Sequence, residues 1–196
     1  MKSGFISLIG RPNAGKSSLL NRIIGEKLAI VSDKPQTTRT RITGVKNYPE
    51  GQAVFVDTPG IHRPLHRMNV RMVEAAVETL GEVDVVGVVV DVSESPGAGL
   101  RYLLDLVKGG RAKTILILNK IDLVKKHKLL PIIEQLSHER DWYAIVPVSA
   151  FTGDNVAHLE EVILNALPDG EPLYPADYLT DQPERAMVAE MIREQV

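Results

Sequence analysis

The sequence predicts an α/β fold, a six-stranded and mostly parallel sheet with one antiparallel strand and helices on both faces. Short Val/Ile-rich runs alternate with segments of helical spacing through residues 5–167, the pattern of strands covered on both sides by crossover helices. Two further observations sharpen it. Strand-like runs at 41–48 and 52–56 flank Pro49-Glu50-Gly51, a turn of hairpin length, so these two pair antiparallel. A Gly-rich turn at 10–15 joins the first strand to the first helix.

Taken in order, 5–9 is a short apolar strand, and Ser17 to Ile24 follows with helical spacing until Gly25 stops it. Residues 26–40 are polar, with Pro35 and several threonines, and read as a long loop. After the hairpin the expected elements are helix 69–80, strand 84–91, helix 99–108, strand 113–118, helix 126–139, strand 143–148 and helix 155–167. Val156, Leu159, Val162, Ile163, Ala166 and Leu167 fall on one face of the last helix. Composition changes at 168, where Pro168, Pro172 and Pro175 cannot continue a helix. The expected organisation is a first domain at 1–167, an extended linker at 168–183 and a helix at 184–196 with an apolar stripe that needs a partner, as if the chain were cut inside a second domain.

The 196 residues are 44% hydrophobic and 24% charged, enough for one buried core, and 23 Lys/Arg against 25 Asp/Glu give a formal charge of −2. Nucleic-acid binding through a broad basic face is therefore not expected. The absence of cysteine excludes disulfide scaffolds, thiolate metal sites and cysteine nucleophiles. The longest apolar run, 83–90, is interrupted by Asp84 and Gly87 and suits a buried strand; a soluble, cytoplasmic protein is expected.

Chemistry enters with Gly10-Arg11-Pro12-Asn13-Ala14-Gly15-Lys16-Ser17, which matches G-x-x-x-x-G-K-[ST] between a predicted strand and a predicted helix. Nucleotide phosphates need several hydrogen-bond donors and positive potential together, and a loop of backbone N–H groups opening onto a helix N-terminus supplies both. Gly10 and Gly15 permit the wrap, Lys16 brings a cation to the β- and γ-oxygens, and the Ser17 hydroxyl ligates Mg²⁺. Asp57-Thr58-Pro59-Gly60 at a strand end fits the second metal-side element, the carboxylate reaching Mg²⁺ through water and the Gly60 N–H meeting the γ-phosphate.

Asn119-Lys120-Ile121-Asp122 selects the base. Asp122 accepts from guanine N1–H and the exocyclic amine, donors that adenine lacks in that arrangement. Two such bonds at ~1.5–3 kcal/mol each discriminate by roughly a hundred- to ten-thousandfold. Asn119 is expected to brace neighbouring loops and approach the base edge, the Lys120 stem to stack on the ring, and Ser149-Ala150-Phe151 to offer the Ala150 N–H to guanine O6. Trp142 is expected to pack, and Lys125-Lys126-His127-Lys128 to form a solvated helix start.

With Ser18 completing the phosphate loop, Gln36-Thr37-Thr38-Arg39 and the other motifs above, residues 1 to about 180 resemble the Era family among translation-factor-class GTPases of the P-loop fold. Gln36 before the threonines, and the linker leading to Pro183-Glu184-Arg185-Ala186, favour this family over the tRNA-modifying MnmE and the tandem EngA. The resemblance implies a GTPase domain at 1–167, and a helix at 184–196 that opens a KH-type RNA-binding domain. It implies a switch that binds GTP and GDP with Mg²⁺, hydrolyses GTP, and acts in assembly of the 30S small ribosomal subunit and 16S ribosomal RNA maturation. Partners would be the 3′ end of small-subunit ribosomal RNA and, peripherally, the inner membrane, with links to the cell cycle; a monomer is expected. No glycine follows Gly170, so the Gly-x-x-Gly clamp of a KH domain is missing and this chain is not expected to bind that RNA well.

For catalysis the candidates are Lys16, Asn13, Thr38 and Gly60. Asn13 matches the asparagine that coordinates potassium in related GTPases, and Thr38 is favoured over Thr37 as the threonine that caps Mg²⁺ when the γ-phosphate is present. Ile61 stands where many GTPases carry a water-orienting glutamine, so slow intrinsic turnover is expected. Residues 59–68, with His62, Arg63 and His66, read as a second switch. Two other classes compete. A P-loop kinase needs a lid with clustered arginines, which the sequence between the motifs does not supply; a nucleotide-gated membrane or division scaffold shares the switching physics.

Overall fold

The computed structural model describes residues 1–26, 28, 42–57, 80–94 and 98–180. Six strands, β1 (Lys2–Gly10), β2 (Ile42–Tyr48), β3 (Gly51–Asp57), β4 (Val85–Asp91), β5 (Lys113–Asn119) and β6 (Ala144–Pro147), form one sheet in the order β2-β3-β1-β4-β5-β6. Among the described strands only the β2–β3 pair is antiparallel, as the hairpin predicts. The described helices are α1 (Lys16–Ile24), α2 (Ala98–Leu106), α3 (Lys126–Ser137) and α4 (Val156–Ala166), with a 3₁₀ turn at Ile121–Leu123. Of the helix expected at 69–80, only Leu80 is described, and it is helical.

Alternation along each central strand sends side chains to two cores. Ile6, Leu8, Ile115 and Ile117 pack with Leu19, Leu20 and Ile23 of α1 and Val156, Leu159 and Ile163 of α4. Ile9, Val88, Leu116 and Leu118 pack on the other face with Leu100 and Leu103 of α2 and Leu136 of α3. The sheet is thus dry on both sides, which is why its strands read as continuous apolar runs.

Boundaries move where backbone pairing, rather than hydrophobicity, decides. β1 begins at Lys2 because Lys2 to Leu8 run in register with Gly51 to Asp57, adding polar residues that an apolar pattern omits. Gly25, at φ 88°, ends α1 by donating its N–H to the Asn21 carbonyl, as expected of a helix-stopping glycine. Trp142 packs against the second core and donates to the Leu136 carbonyl at 2.8 Å. Lys125, Lys126, His127 and Lys128 are exposed.

The extended segment after 168 follows the hairpin closely. Buried Gln52 accepts from the Leu173 and Tyr174 N–H groups at 2.8 and 2.9 Å and donates to the Tyr174 carbonyl at 2.8 Å. Asn47 donates to the Ala176 carbonyl, Val45 N–H to the Leu179 carbonyl, and the Thr180 hydroxyl to the Thr43 carbonyl. Residues 173–180 therefore run as a strap along β2. Residues 181–196, which hold the end of the expected linker and the expected terminal helix, lie outside the described residues.

Candidate functional site

β1 lies between β3 and β4, and the C-terminal ends of these strands form the edge at which ligands of open α/β sheets bind. Gly10, Asp57, Asp91 and Asn119 end β1, β3, β4 and β5 at this edge. The described motif residues, 10–17, Asp57, 119–122 and 149–151, lie at or just after strand ends.

The loop from Gly10 to Lys16 is shaped by what it passes. A Cβ on Gly10 would lie 2.6 Å from the Val89 carbonyl oxygen, and one on Gly15, which sits at φ 89°, would lie 2.2 Å from Asn119 Nδ2. Neither position accepts a side chain without moving backbone or the base-side asparagine. Asn13 is also left-handed, at φ 62°, and exposed; Pro12 is half-buried, and Ala14 turns the loop by donating to the Arg11 carbonyl at 3.2 Å. Lys16, only 6% exposed, directs its ammonium back across the loop to the Gly10 and Arg11 carbonyls at 3.3 and 3.2 Å. α1 begins at Lys16 with no side-chain cap and no acidic residue in its first turn, which includes Ser17 and Ser18. Glycine-shaped backbone, a buried cation and an uncapped helix start together suit phosphate oxygens.

The second half is made by side chains. Asn119, 1% exposed, donates from Nδ2 to the Ala14 carbonyl at 2.9 Å and accepts the Ala150 N–H on Oδ1 at 3.0 Å. It ties the phosphate loop to the loop after β6, the bracing role expected of it. The Ala150 N–H, expected to reach guanine O6, is thus already engaged, and O6 would share it. Asp122, exposed within the 3₁₀ turn, accepts the Ser149 hydroxyl on Oδ1 at 2.6 Å, while Ser149 Oγ accepts the Thr152 N–H at 3.0 Å. Ser149 is fully buried, so it aims the carboxylate from below. Ser18, Arg22, Ala150 and Phe151 border a shallow hollow alongside, with Phe151 81% exposed.

Two residues were not legible as site residues. Arg22, one and a half turns into α1, donates to the Ala150 carbonyl at 3.1 Å and to the Phe151 carbonyl. Asp91 pairs with Lys120 at 2.6 Å; burial works to raise its pKa, yet hydrogen bonds from Lys120 and Ser93 outweigh it and hold the carboxyl below its ordinary value. The only available signal was position, since Asp91 also ends a strand at this edge.

The metal-side elements are partly in view. Asp57 closes β3 in register with Leu8 of β1 and Ile42 of β2, at the same edge, and its side chain lies outside the description. Thr37, Thr38, Thr58, Pro59, Gly60 and Ile61, together with Gln36, Arg39, His62, Arg63 and His66, lie outside the described residues.

A family model described as 50S ribosome-binding GTPase matches residues 5–120. GTPase Era of Heliobacterium modesticaldum is 51% identical over 196 residues, a match that takes in all of this chain and 66% of that protein. The chain belongs to this GTPase family, in its Era branch. A crystal structure of Era in complex with MgGDPNP and nucleotides 1506-1542 of 16S ribosomal RNA superposes with a TM-score of 0.94 at 39% identity, covering 100% of this chain and 67% of that one. An Aquifex aeolicus Era variant bound to GDP and AlF₄⁻ gives 0.93 at 40% identity, with coverage of 100% and 67%. The chain thus spans about two thirds of the length of its Era relatives, 66% and 65% of the first two. The six-stranded sheet with its single antiparallel pair is the Era GTPase fold.

Proposed function

We propose that this chain is the nucleotide-binding and GTP-hydrolysing part of an Era-type switch acting in 30S subunit assembly and 16S ribosomal RNA maturation. The observation that carries the reading is Asn119, whose side chain joins the Ala14 carbonyl of the phosphate loop to the Ala150 N–H of the base loop. The contact supports a phosphate cradle and a base loop that share one edge, with Asp122 beside them as the carboxylate that would read guanine. The Era relatives bound to GDPNP and to GDP support guanine as the base.

In this reading GTP and water become GDP and phosphate. Loop N–H groups and the Lys16 ammonium hold the β- and γ-oxygens, and the Gly60 N–H meets the γ-phosphate. Ser17, Thr38 and Asp57 would hold Mg²⁺, which when bound neutralises phosphate charge; the Ser17 hydroxyl in the first turn of α1 and Asp57 at the end of β3 are the oxygen donors such an ion takes. Gly10, Pro12, Asn13, Ala14, Gly15 and Ser18 complete the phosphate side, Thr37, Thr58 and Pro59 the switch side, and Asn119, Lys120, Asp122, Ser149, Ala150 and Phe151 the base side. With Ile61 in place of a glutamine, turnover is slow, and Asn13 would hold a potassium ion that would supply transition-state charge stabilisation. Equal rates in potassium and sodium buffers, or an unchanged rate in Asn13→Ala, would refute the potassium role.

Residues 1–167 form the GTPase domain, 168–183 the linker and 184–196 the opening helix of the KH-type domain. RNA contact through the remainder of that domain, a cytoplasmic monomeric state and peripheral contact with the inner membrane complete the proposal. Among the described residues no helix is long and apolar enough to cross a membrane. The deciding experiment pairs nucleotide and RNA. Fluorescent GDP should bind this chain in preference to fluorescent ADP, and crosslinking in cells should enrich the 3′ end of small-subunit RNA on the full-length protein but not on this chain. ADP binding as well as GDP would sink the guanine reading, and absence of that RNA from the full-length protein would sink the assembly role.

A further inference from the structure

We infer that Asp91 is a positioning residue of the base site: it anchors the Lys120 ammonium so that the lysine presents its aliphatic stem, rather than a roaming charge, to the guanine ring. The inference rests on the guanine reading proposed above and assigns a role to a residue outside every motif. Lys120 Nζ lies 2.6 Å from Asp91 Oδ2. The other carboxylate oxygen accepts the Ser93 N–H at 2.9 Å and the Ser93 hydroxyl at 2.5 Å, so both oxygens are committed and the carboxylate cannot rotate away. The Asp91 side chain is 10% exposed, whereas that of Lys120 is 31% exposed. The charged end of the lysine is therefore held at a nearly buried group while part of the side chain stays open at that edge of the sheet.

Backbone geometry points the same way. Lys120 sits at φ 67°, a left-handed conformation that side-chain-bearing residues adopt only when the surroundings enforce it. It stands between Asn119 and the 3₁₀ turn that carries Asp122, the two base-side residues.

A purely structural role for the pair is not needed here. β4 and β5 already meet in register at Asp91 and Asn119, and the Val92 N–H donates to the Asn119 carbonyl at 3.1 Å. What the strands do not supply is restraint on a flexible four-carbon stem. A lysine without an anchor loses that freedom each time a base stacks on it, and a lysine held at Nζ has lost most of it beforehand. Guanine is uncharged, so neutralising the ammonium locally sacrifices no attraction to the base.

The test measures the dissociation rate of N-methylanthraniloyl-GDP from the whole chain, alongside its ADP counterpart, for wild type, Asp91→Asn, Lys120→Ala and the double variant. Asparagine keeps an acceptor for Ser93 and loses the one for Lys120. Asp91→Asn should release GDP about tenfold faster, Lys120→Ala should do the same, and Asp91→Asn should add nothing once Lys120 is gone. Ser93→Ala, which loosens Asp91 without removing its charge, should give a smaller increase and serves if Asp91→Asn does not fold. An unchanged rate in Asp91→Asn or Ser93→Ala, or an equal increase from Asp91→Asn with and without Lys120, overturns the assignment. Wild type that holds ADP as long as GDP overturns the guanine site itself, and this role with it.

Discussion

Where the phosphates would lie, the site is backbone shaped by Gly10 and Gly15 around buried Lys16; where the base would lie, it is side chains, Asn119, Asp122 and Ser149, hydrogen-bonded to their neighbours. The two ends tolerate change differently. A backbone cradle has few graded states, because a single Cβ either fits or displaces the loop. Side-chain hydrogen bonds can be removed one at a time, so the base end should lose function in measurable steps and change its specificity before it loses its fold.

Gly15→Ala presses this contrast hardest. It places a Cβ 2.2 Å from Asn119 Nδ2 at a residue with φ 89°, adding about 1–2 kcal/mol of left-handed strain to a clash that is relieved only if Asn119 gives up its bond to the Ala14 carbonyl. GDP affinity should fall by at least about a hundredfold, with a lower unfolding temperature in the absence of nucleotide. Titration giving affinity within about threefold of wild type would show that the cradle is more pliable than its contacts imply.

Asp122→Asn should cost roughly ten- to a hundredfold in GDP affinity and little stability, because Asp122 is exposed. Asparagine offers an N–H₂ where the carboxylate accepted, so xanthosine diphosphate, with a carbonyl in place of the guanine amine, should gain what GDP loses. Competition between the two diphosphates reads this directly, and equal losses for both would mean that Asp122 does not face the base edge. Asn119→Ala should be milder, about tenfold, and should weaken GDP and inosine diphosphate alike. It leaves the Ala14 carbonyl and Ala150 N–H without their partner and so loosens both loops. A loss confined to guanine would make Asn119 a base reader instead of a brace.

The same contrast explains what could be read from the residues alone. Strand alternation, the hairpin and the motif positions were legible because each depends on local spacing: every strand carries its own apolar period and every motif its own strand end. Arg22 and Asp91 were not, because their roles arise from register. Asp91 meets Lys120 through the pairing of β4 with β5, and Arg22 meets the Ala150 and Phe151 carbonyls across 128 and 129 residues of chain. The proline-rich stretch after 168 reads as a linker, and its course along β2 was not legible; it is held in part by one buried polar side chain, Gln52. A glutamine within an otherwise apolar strand was the trace of that contact, since a buried amide must find partners.

The smallest expected effect belongs to the group joining a strand end to the base side. Lys120 and Ser93 hold the Asp91 carboxyl below its ordinary 3.8 against the opposing pull of burial. A group whose pKa is depressed by folding contributes its stability above the unfolded value and loses it as pH falls through the folded one. Asp91→Asn should therefore destabilise the protein at pH 7 by about 1 kcal/mol, a modest figure because the Lys120 partner is partly open to solvent screening. As pH falls from the ordinary carboxylate value through the lower folded one, the wild-type group takes up its proton, and the gap between wild type and variant should narrow. Denaturant unfolding of both proteins at pH 7 and near pH 3 measures the gap directly. A constant difference at both pH values would assign the cost to lost packing, leaving the charge at Asp91 without a part in holding Lys120.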